Sequence, residues 1–253
     1  MEVHHHAHTA ADPDSHRGRK KWTHYLWEFL MLFLAVFCGF LAENQREHFV
    51  EHQREKQFMG SLAEDLETDT TELKKAIAKC DSTARFSDSV LIYLSGHKIG
   101  TEVPVHLATI IGTGGRRLTL INTDRTSSQL KNSGAMRLIQ NKKVSNAILR
   151  YWKQIEETNI SLDRYMVYRD AGREIVFKLW IIPEVYRRGL LMPADSIQKL
   201  RVIDTDPKKW DQLANLIAIS GSIAKNTHLI NLNNQLEMAR ELILIIKKEY
   251  HLK

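Results

Sequence analysis

Residues 25–42 read YLWEFLMLFLAVFCGFLA, eighteen residues with one charge, Glu28. A bilayer core of roughly 30 Å needs about 20 apolar residues at about 1.5 Å each. With its interfacial flanks the run is just long enough to span. Arg17, Arg19, Lys20 and Lys21 crowd the side that precedes it, whereas Glu43, Arg46 and Glu47 make the following side mixed and net acidic. Positive charge beside a first span stays cytoplasmic, and Trp22, Tyr25 and Trp27 fall where an interfacial aromatic belt belongs. The expected topology is a single pass through a bacterial inner membrane, with the N-terminus cytoplasmic and residues 43–253 in the periplasm. Glu28 reads either as a buried proton carrier or as an acid at the headgroups. Its place one turn inside the run favours the second.

A cleaved leader fits poorly. Cleavage after Ala42 would put Phe40 where a small residue belongs. Cys38 follows Phe37 inside the apolar run, so a lipoprotein signal does not fit either. The reading is an uncleaved signal-anchor. Ala35 and Gly39, four apart, would let two spans approach closely.

The chain has 253 residues, with 36 basic and 30 acidic side chains. Residues 1–42 hold four of each sign, which leaves 32 minus 26, or +6, for the remainder. The charges are interspersed, with no basic stripe, so nucleic acid is not an expected partner. Of the two cysteines, Cys38 lies in the span and Cys80 has no mate outside it, so no disulfide framework exists. Residues 1–21 are polar, without apolar period, and read as a disordered cytoplasmic tail. Their His4, His5, His6, His8 and His16 could attract Zn, Ni or Cu. No carboxylate or thiol is placed to complete a site, so neither a metal nor another cofactor is expected.

Beyond the span the pattern is helical. Residues 43–57 carry charge and no breaker and are expected to continue the span as a stalk. Leu62, Leu66, Leu73, Ile77, Cys80 and Ala84 then recur at helical spacing, one face of a packed helix with a buried Cys80 thiol. That helix is expected to run to about Leu94, and residues 96–125 to be irregular. Thr126-Ser127-Ser128-Gln129 has the form of a capping box opening a short helix that stops near Gly134. A long helix is expected over 142–182, striped by Ile148, Tyr151, Ile155, Leu162, Tyr165, Gly172, Val176 and Leu179 and stopped by Pro183. Asp206-Pro207 opens another helix. A last one is expected over 222–250, with Ile223, Leu229, Ile230, Leu236, Ala239, Leu242, Ile243 and Ile246 inward. The fold class is all-α: a transmembrane helix (22–42), a helical stalk (43–57), and an external bundle of long antiparallel helices (58–253).

The run WEFLMLFLAVFCGFLAENQREH at 27–48, SQLKNSGAMRLI at 128–139 and the aromatic pair Tyr151-Trp152 together resemble a family of uncharacterised single-span bacterial membrane proteins. Their common segment has the form LKxSGxxRLI, matched here by Leu130, Lys131, Ser133, Gly134, Arg137, Leu138 and Ile139. The resemblance implies the topology above; it implies no activity, cofactor or catalytic residue.

Three constellations bear on chemistry. In EHFVEH, His48 and His52 share a helix face, as do Glu47 and Glu51, but a zincin needs HExxH and a third ligand. A solvated stalk face with charge pairs is the simpler reading. Gly112-Thr113-Gly114-Gly115-Arg116-Arg117 could cradle an anion, yet it lacks the Lys-Ser/Thr ending of a P-loop and reads as a loop. Ser133-Gly134 lacks the GxSxG setting of a nucleophile and reads as a tight inter-helix turn. Two function classes remain. One is a membrane-anchored interaction or scaffold module, a homo-oligomer engaging an envelope protein. The other is an envelope enzyme or metal-binding protein whose site converges only in the fold, for instance around His106, His228 or acidic residues.

Overall fold

A computed structural model of the chain describes residues 18–115, 117–180 and 199–252. The histidine-rich tail, Arg17, Arg116, Pro183 and Pro193 lie outside the described residues. The protein is all-α, with one small two-stranded sheet. Contacts divide the chain into two compact units, Met1–Arg54 and Glu55–Lys253.

Helix α1 (Gly18–Gly96) belongs to both. In the first unit its side chains from 22 to 49 are exposed all round, and an 18-residue window there reaches a mean hydropathy of 2.0. By length and composition this helix can cross a membrane. Phe29, Phe33 and Phe37 stack in a ladder along it, with centroids 6.3 and 5.9 Å apart.

The second unit is a three-helix bundle. From Glu55 onward the inward face of α1 steps by four and three: Glu55, Met59, Leu62, Leu66, Asp69, Leu73, Ala76, Cys80, Thr83, Ser87 and Val90. That is a seven-residue repeat, the seam of a left-handed coiled coil. Helix α4 (Lys142–Leu179) does the same through Val144, Ala147, Tyr151, Gln154, Thr158, Ser161, Tyr165, Tyr168, Gly172, Ile175 and Leu179. The third rod is α5 (Pro207–Ile223), a π-helical turn (Ala224–His228) and α6 (Leu229–Tyr250). Helices 206– and 222–250, read from the sequence as separate, are therefore joined. No breaker separates them, and Gly221 is a close-packing glycine: a Cβ there would lie 2.8 Å from Ser87 Cβ. Asp206 caps this rod by accepting from Lys208 N at 3.0 Å, with Pro207 in the first turn.

Pairings along the bundle give its direction. Glu55 meets Tyr250 and Cys80 meets Ala224, so α1 opposes α5–α6. Gln154 meets Asn231 and Ser161 meets His228, so α4 opposes it as well. Asp69 meets Tyr151, and Val90 clusters with Leu179, so α1 and α4 run parallel. Two of the three long helices are thus parallel, and only the third is antiparallel.

The connection between α1 and α4 accounts for this. It is long enough to climb back along the bundle, and it contains structure that the turn-rich sequence of 96–125 hides. Strand β1 (Glu102–Pro104) pairs antiparallel with β2 (Lys199–Arg201), Val103 opposite Leu200. Helix α2 (Val105–Gly114) follows, burying Leu107, Ala108 and Ile111. Three-residue strands paired about a hundred positions apart leave no periodic signal. Helix α3 (Arg125–Asn132) and a 3₁₀ turn (Ala135–Leu138) lead to α4. Helix α4 ends at Leu179, before Pro183, because Trp180 turns extended and bridges to Val202.

Candidate functional site

The segment at 128–139 packs into the core through Leu130, Ala135 and Ile139. Gly134 has φ +67°, and Ser133 N closes the end of α3 on Gln129 O at 3.0 Å. Leu130 and Ile139 are buried in the core with Met59, Leu66 and Ile148, while Leu138 is half-buried. The helix-end reading of Ser133-Gly134 therefore holds. The Ser133 hydroxyl donates to Gln129 O at 2.6 Å and accepts from Ala135 N at 3.3 Å, both bonds of the helix end. The capping box does not form: Thr126 lies inside the first turn of α3, buried, and its N–H goes to Asp65 Oδ2 at 2.9 Å. A carboxylate from another helix satisfies the exposed end of α3 better than the local Thr126–Gln129 exchange.

Asp65 is one of three buried acids on α1. Its other oxygen accepts from Arg125 Nη2 at 2.8 Å. Glu55 Oε1 accepts from Gln140 N at 3.0 Å and from Tyr250 O–H at 2.5 Å. Asp69 accepts from Thr123 N at 2.7 Å and Tyr151 O–H at 3.0 Å. Three carboxylates thus fasten backbone amides at 123, 126 and 140, replacing the partners that a loop would otherwise find in water. Glu55, expected on a solvated stalk face, is instead buried.

Asp69, Tyr151 and Gln235 form one polar layer across the seam, one residue from each rod. Gln235 Nε2 donates to Asn122 Oδ1 at 2.7 Å, and its Oε1 has no partner. Burial raises the Asp69 pKa, and the charge of Asp65 adds to this; the bonds from Thr123 and Tyr151 oppose it. Burial, then the Asp69 charge, pushes the Tyr151 phenol far up, against a hydrogen bond with Gln235.

The neighbouring aromatic Trp152 donates from Nε1 to Ser127 Oγ at 3.1 Å, and Lys131 Nζ lies 4.3 Å from its ring. The motif segment and the aromatic pair therefore meet, and they meet as packing.

The histidines do not converge. His106 is exposed on α2, whereas His228 is 2 % exposed in the π turn. Ser161 gives its hydroxyl proton to Thr158 O at 2.7 Å, so His228 Nδ1, 2.8 Å from Ser161 Oγ, is the donor of that pair. A base that activates serine needs the opposite polarity. Burial takes the His228 pKa down to about 4, so the ring is neutral. His48 and His52 are exposed on α1, and among the described residues no group of three or more metal-ligating side chains forms. In the glycine segment, Gly112 and Gly114 belong to the end of α2, and Arg169 Nε donates to Gly115 O at 2.6 Å. An arginine from α4 thus occupies the backbone acceptor there.

Comparisons with known protein families, curated proteins and solved structures find no match to this chain.

Proposed function

We propose that the protein is a non-enzymatic, membrane-anchored interaction module of the bacterial envelope. In this reading it is a single-pass inner-membrane protein, N-terminus cytoplasmic and bundle periplasmic, working as a homo-oligomer with an envelope protein partner. It belongs with the single-span family that its 27–48 and 128–139 segments resemble. The observation that carries the reading is the division of labour in α1: one stretch is apolar and exposed on every side, the other supplies a bundle seam. The ionisable groups of that seam are occupied by structural bonds, which favours a binding role over catalysis.

Two surfaces support association. At about 100° per residue, Ala35 and Gly39 lie across the helix from the Phe29–Phe33–Phe37 ladder, a small face suited to close approach of a second span. On α4, Leu149, Ile160 and Val167 fall on one line at spacings of eleven and seven, each more than half exposed. The anchor confines such a surface to the membrane plane and raises its effective concentration for a partner.

A reporter active only outside the cytoplasm, fused after Lys253, should be active; a well-expressed but inactive fusion would refute the orientation. Single cysteines at Phe49 or Val50, with Cys38 and Cys80 replaced, should crosslink between chains in native membranes. Their failure at every position from 43 to 54, with a single-chain mass, would remove the oligomer. Turnover of a substrate, lost on one polar substitution, would remove the non-enzymatic reading.

A further inference from the structure

Helices α1, α2, α4 and α5 line a partly open slot of about 40 Å³. Its wall is apolar, made by Val90, Ile111, Val176, Leu213 and Ile217. The space exists partly because position 172 is glycine: a Cβ there would stand 3.8 Å from both Leu213 Cδ1 and Leu216 Cβ. The polar lining is one-sided. Ser87 and Ser220 spend their hydroxyl protons on Thr83 O and Ile217 O. Donors come from Arg169, Arg173 and the phenols of Tyr165 and Tyr168, and no acid stands among the described lining residues. Arg169 is anchored, its side chain 8 % exposed and paired to Asp170 as well as to Gly115 O. Arg173 is exposed, its guanidinium 5.3 Å from the Phe177 ring.

We infer that this slot binds a single-chain anionic amphiphile, a medium-chain carboxylate or alkyl phosphate. Its head pairs with Arg173 beside Arg169, and the end of its tail enters the slot. Room for about three water-sized groups takes the last few methylenes, and the rest of the chain lies along the open side. Arg169 already shares its charge with Asp170, so Arg173, which has no acid partner among the described residues, selects the anionic head, and the apolar wall selects a hydrocarbon tail. The inference goes beyond the scaffold reading and does not depend on the protein's orientation or oligomeric state.

The test is isothermal titration of the full chain in phosphatidylcholine nanodiscs, with empty nanodiscs subtracted. The probes are octanoate, octyl phosphate, butyrate, octyltrimethylammonium and inorganic phosphate. Each buried methylene is worth about fourfold in affinity, so octanoate should bind at least about tenfold tighter than butyrate. Octyl phosphate tighter than octanoate would assign the head as phosphate, and the reverse as carboxylate. Octyltrimethylammonium and inorganic phosphate should not bind. Gly172→Leu, which fills the slot, should abolish octanoate binding, and Arg173→Gln should weaken it about tenfold with an unchanged thermal melt. If Gly172→Leu does not fold, Arg173→Gln decides alone. Equal binding of the cationic amphiphile, octanoate binding undiminished in a folded Arg173→Gln variant, or no octanoate binding to the native chain overturns the inference.

Discussion

Replacing Asp69 separates its hydrogen bonds from its charge. The carboxylate is the acceptor for Thr123 N at 2.7 Å and for the buried Tyr151 phenol at 3.0 Å. Asp69→Ala leaves both donors unpaired, at about 1–3 kcal/mol each. Relief of a desolvated charge returns part of this, so a net loss of roughly 2–4 kcal/mol is expected. Asp69→Asn keeps an oxygen for Thr123 and removes the charge. The introduced amide donates to the Tyr151 oxygen, and the released phenolic proton turns to Gln235, which already hydrogen-bonds Tyr151 and has an unpartnered Oε1. The asparagine variant should therefore stay within about 1 kcal/mol of the native chain at neutral pH. The pH dependence has a definite sign. Burial raises the folded pKa of Asp69, so the folded state holds this proton more tightly than the unfolded chain does. As pH falls through the window from the raised folded value to the ordinary aspartate value, the native chain gains stability from Asp69, and it loses that gain as pH rises. Urea unfolding of the full chain in mild detergent, followed by circular dichroism from about pH 7.5 to about pH 4, measures both effects. The stability difference, native minus Asp69→Asn, should grow as pH falls. A constant difference, or an asparagine variant as unstable as the alanine one, would refute the account of the layer.

Gly134→Val should cost about 1 kcal/mol or more, because a β-branched side chain tolerates positive φ poorly. The space around position 134 is open, with no atom within 4 Å of an added Cβ, so Gly134→Asn should cost much less. Gly221→Ala should destabilise by about 1–3 kcal/mol through overpacking against Ser87, and Ser87→Gly in the same chain should recover at least about 1 kcal/mol as coupling in a double-mutant cycle of thermal unfolding. Additive effects would deny the close approach. Deleting the exposed Asn226 should leave a folded bundle within about 1 kcal/mol of the native one, since a π turn holds one residue more than an α turn; loss of the cooperative melt would show that the extra residue is needed.

What the sequence makes legible here depends on whether the decisive bond is local. Asp206-Pro207 acts within one turn, and the cap is there. Gly134 ends α3 by its own dihedral, and that too was readable. Thr126 to Gln129 has the same local form, yet its backbone N–H goes to Asp65, sixty-one positions earlier, and a capping motif carries no trace of that competitor. The strand pair between 102–104 and 199–201, which joins the segments that follow α1 and α4, is again beyond the reach of any local pattern. The long helices themselves were legible because each repeats its apolar face for many turns.

The buried polar layer was legible in principle, through phase and not residue type. Glu55 and Asp69 sit four before Met59 and three after Leu66, on the steps that the apolar seam occupies, and charge alone suggests a solvated face. Tyr151 and Gln235 hold equivalent steps on their own helices. A polar residue in phase with a seam on all three rods needs partners from the other two, and it fixes their axial register, because sliding one rod by a turn would strand a buried carboxylate. The π turn obeys the same constraint. The inward positions Ser220, Ala224, His228 and Leu232 advance by three successive fours, where the flanking stretches from Trp210 to Ser220 and from Leu232 to Ile246 alternate threes and fours. The extra residue is absorbed between α5 and α6, so that Trp210 and Leu213 on one side and Gln235 and Ala239 on the other both face the core. Register in this bundle is therefore set jointly by one polar layer and one irregular turn.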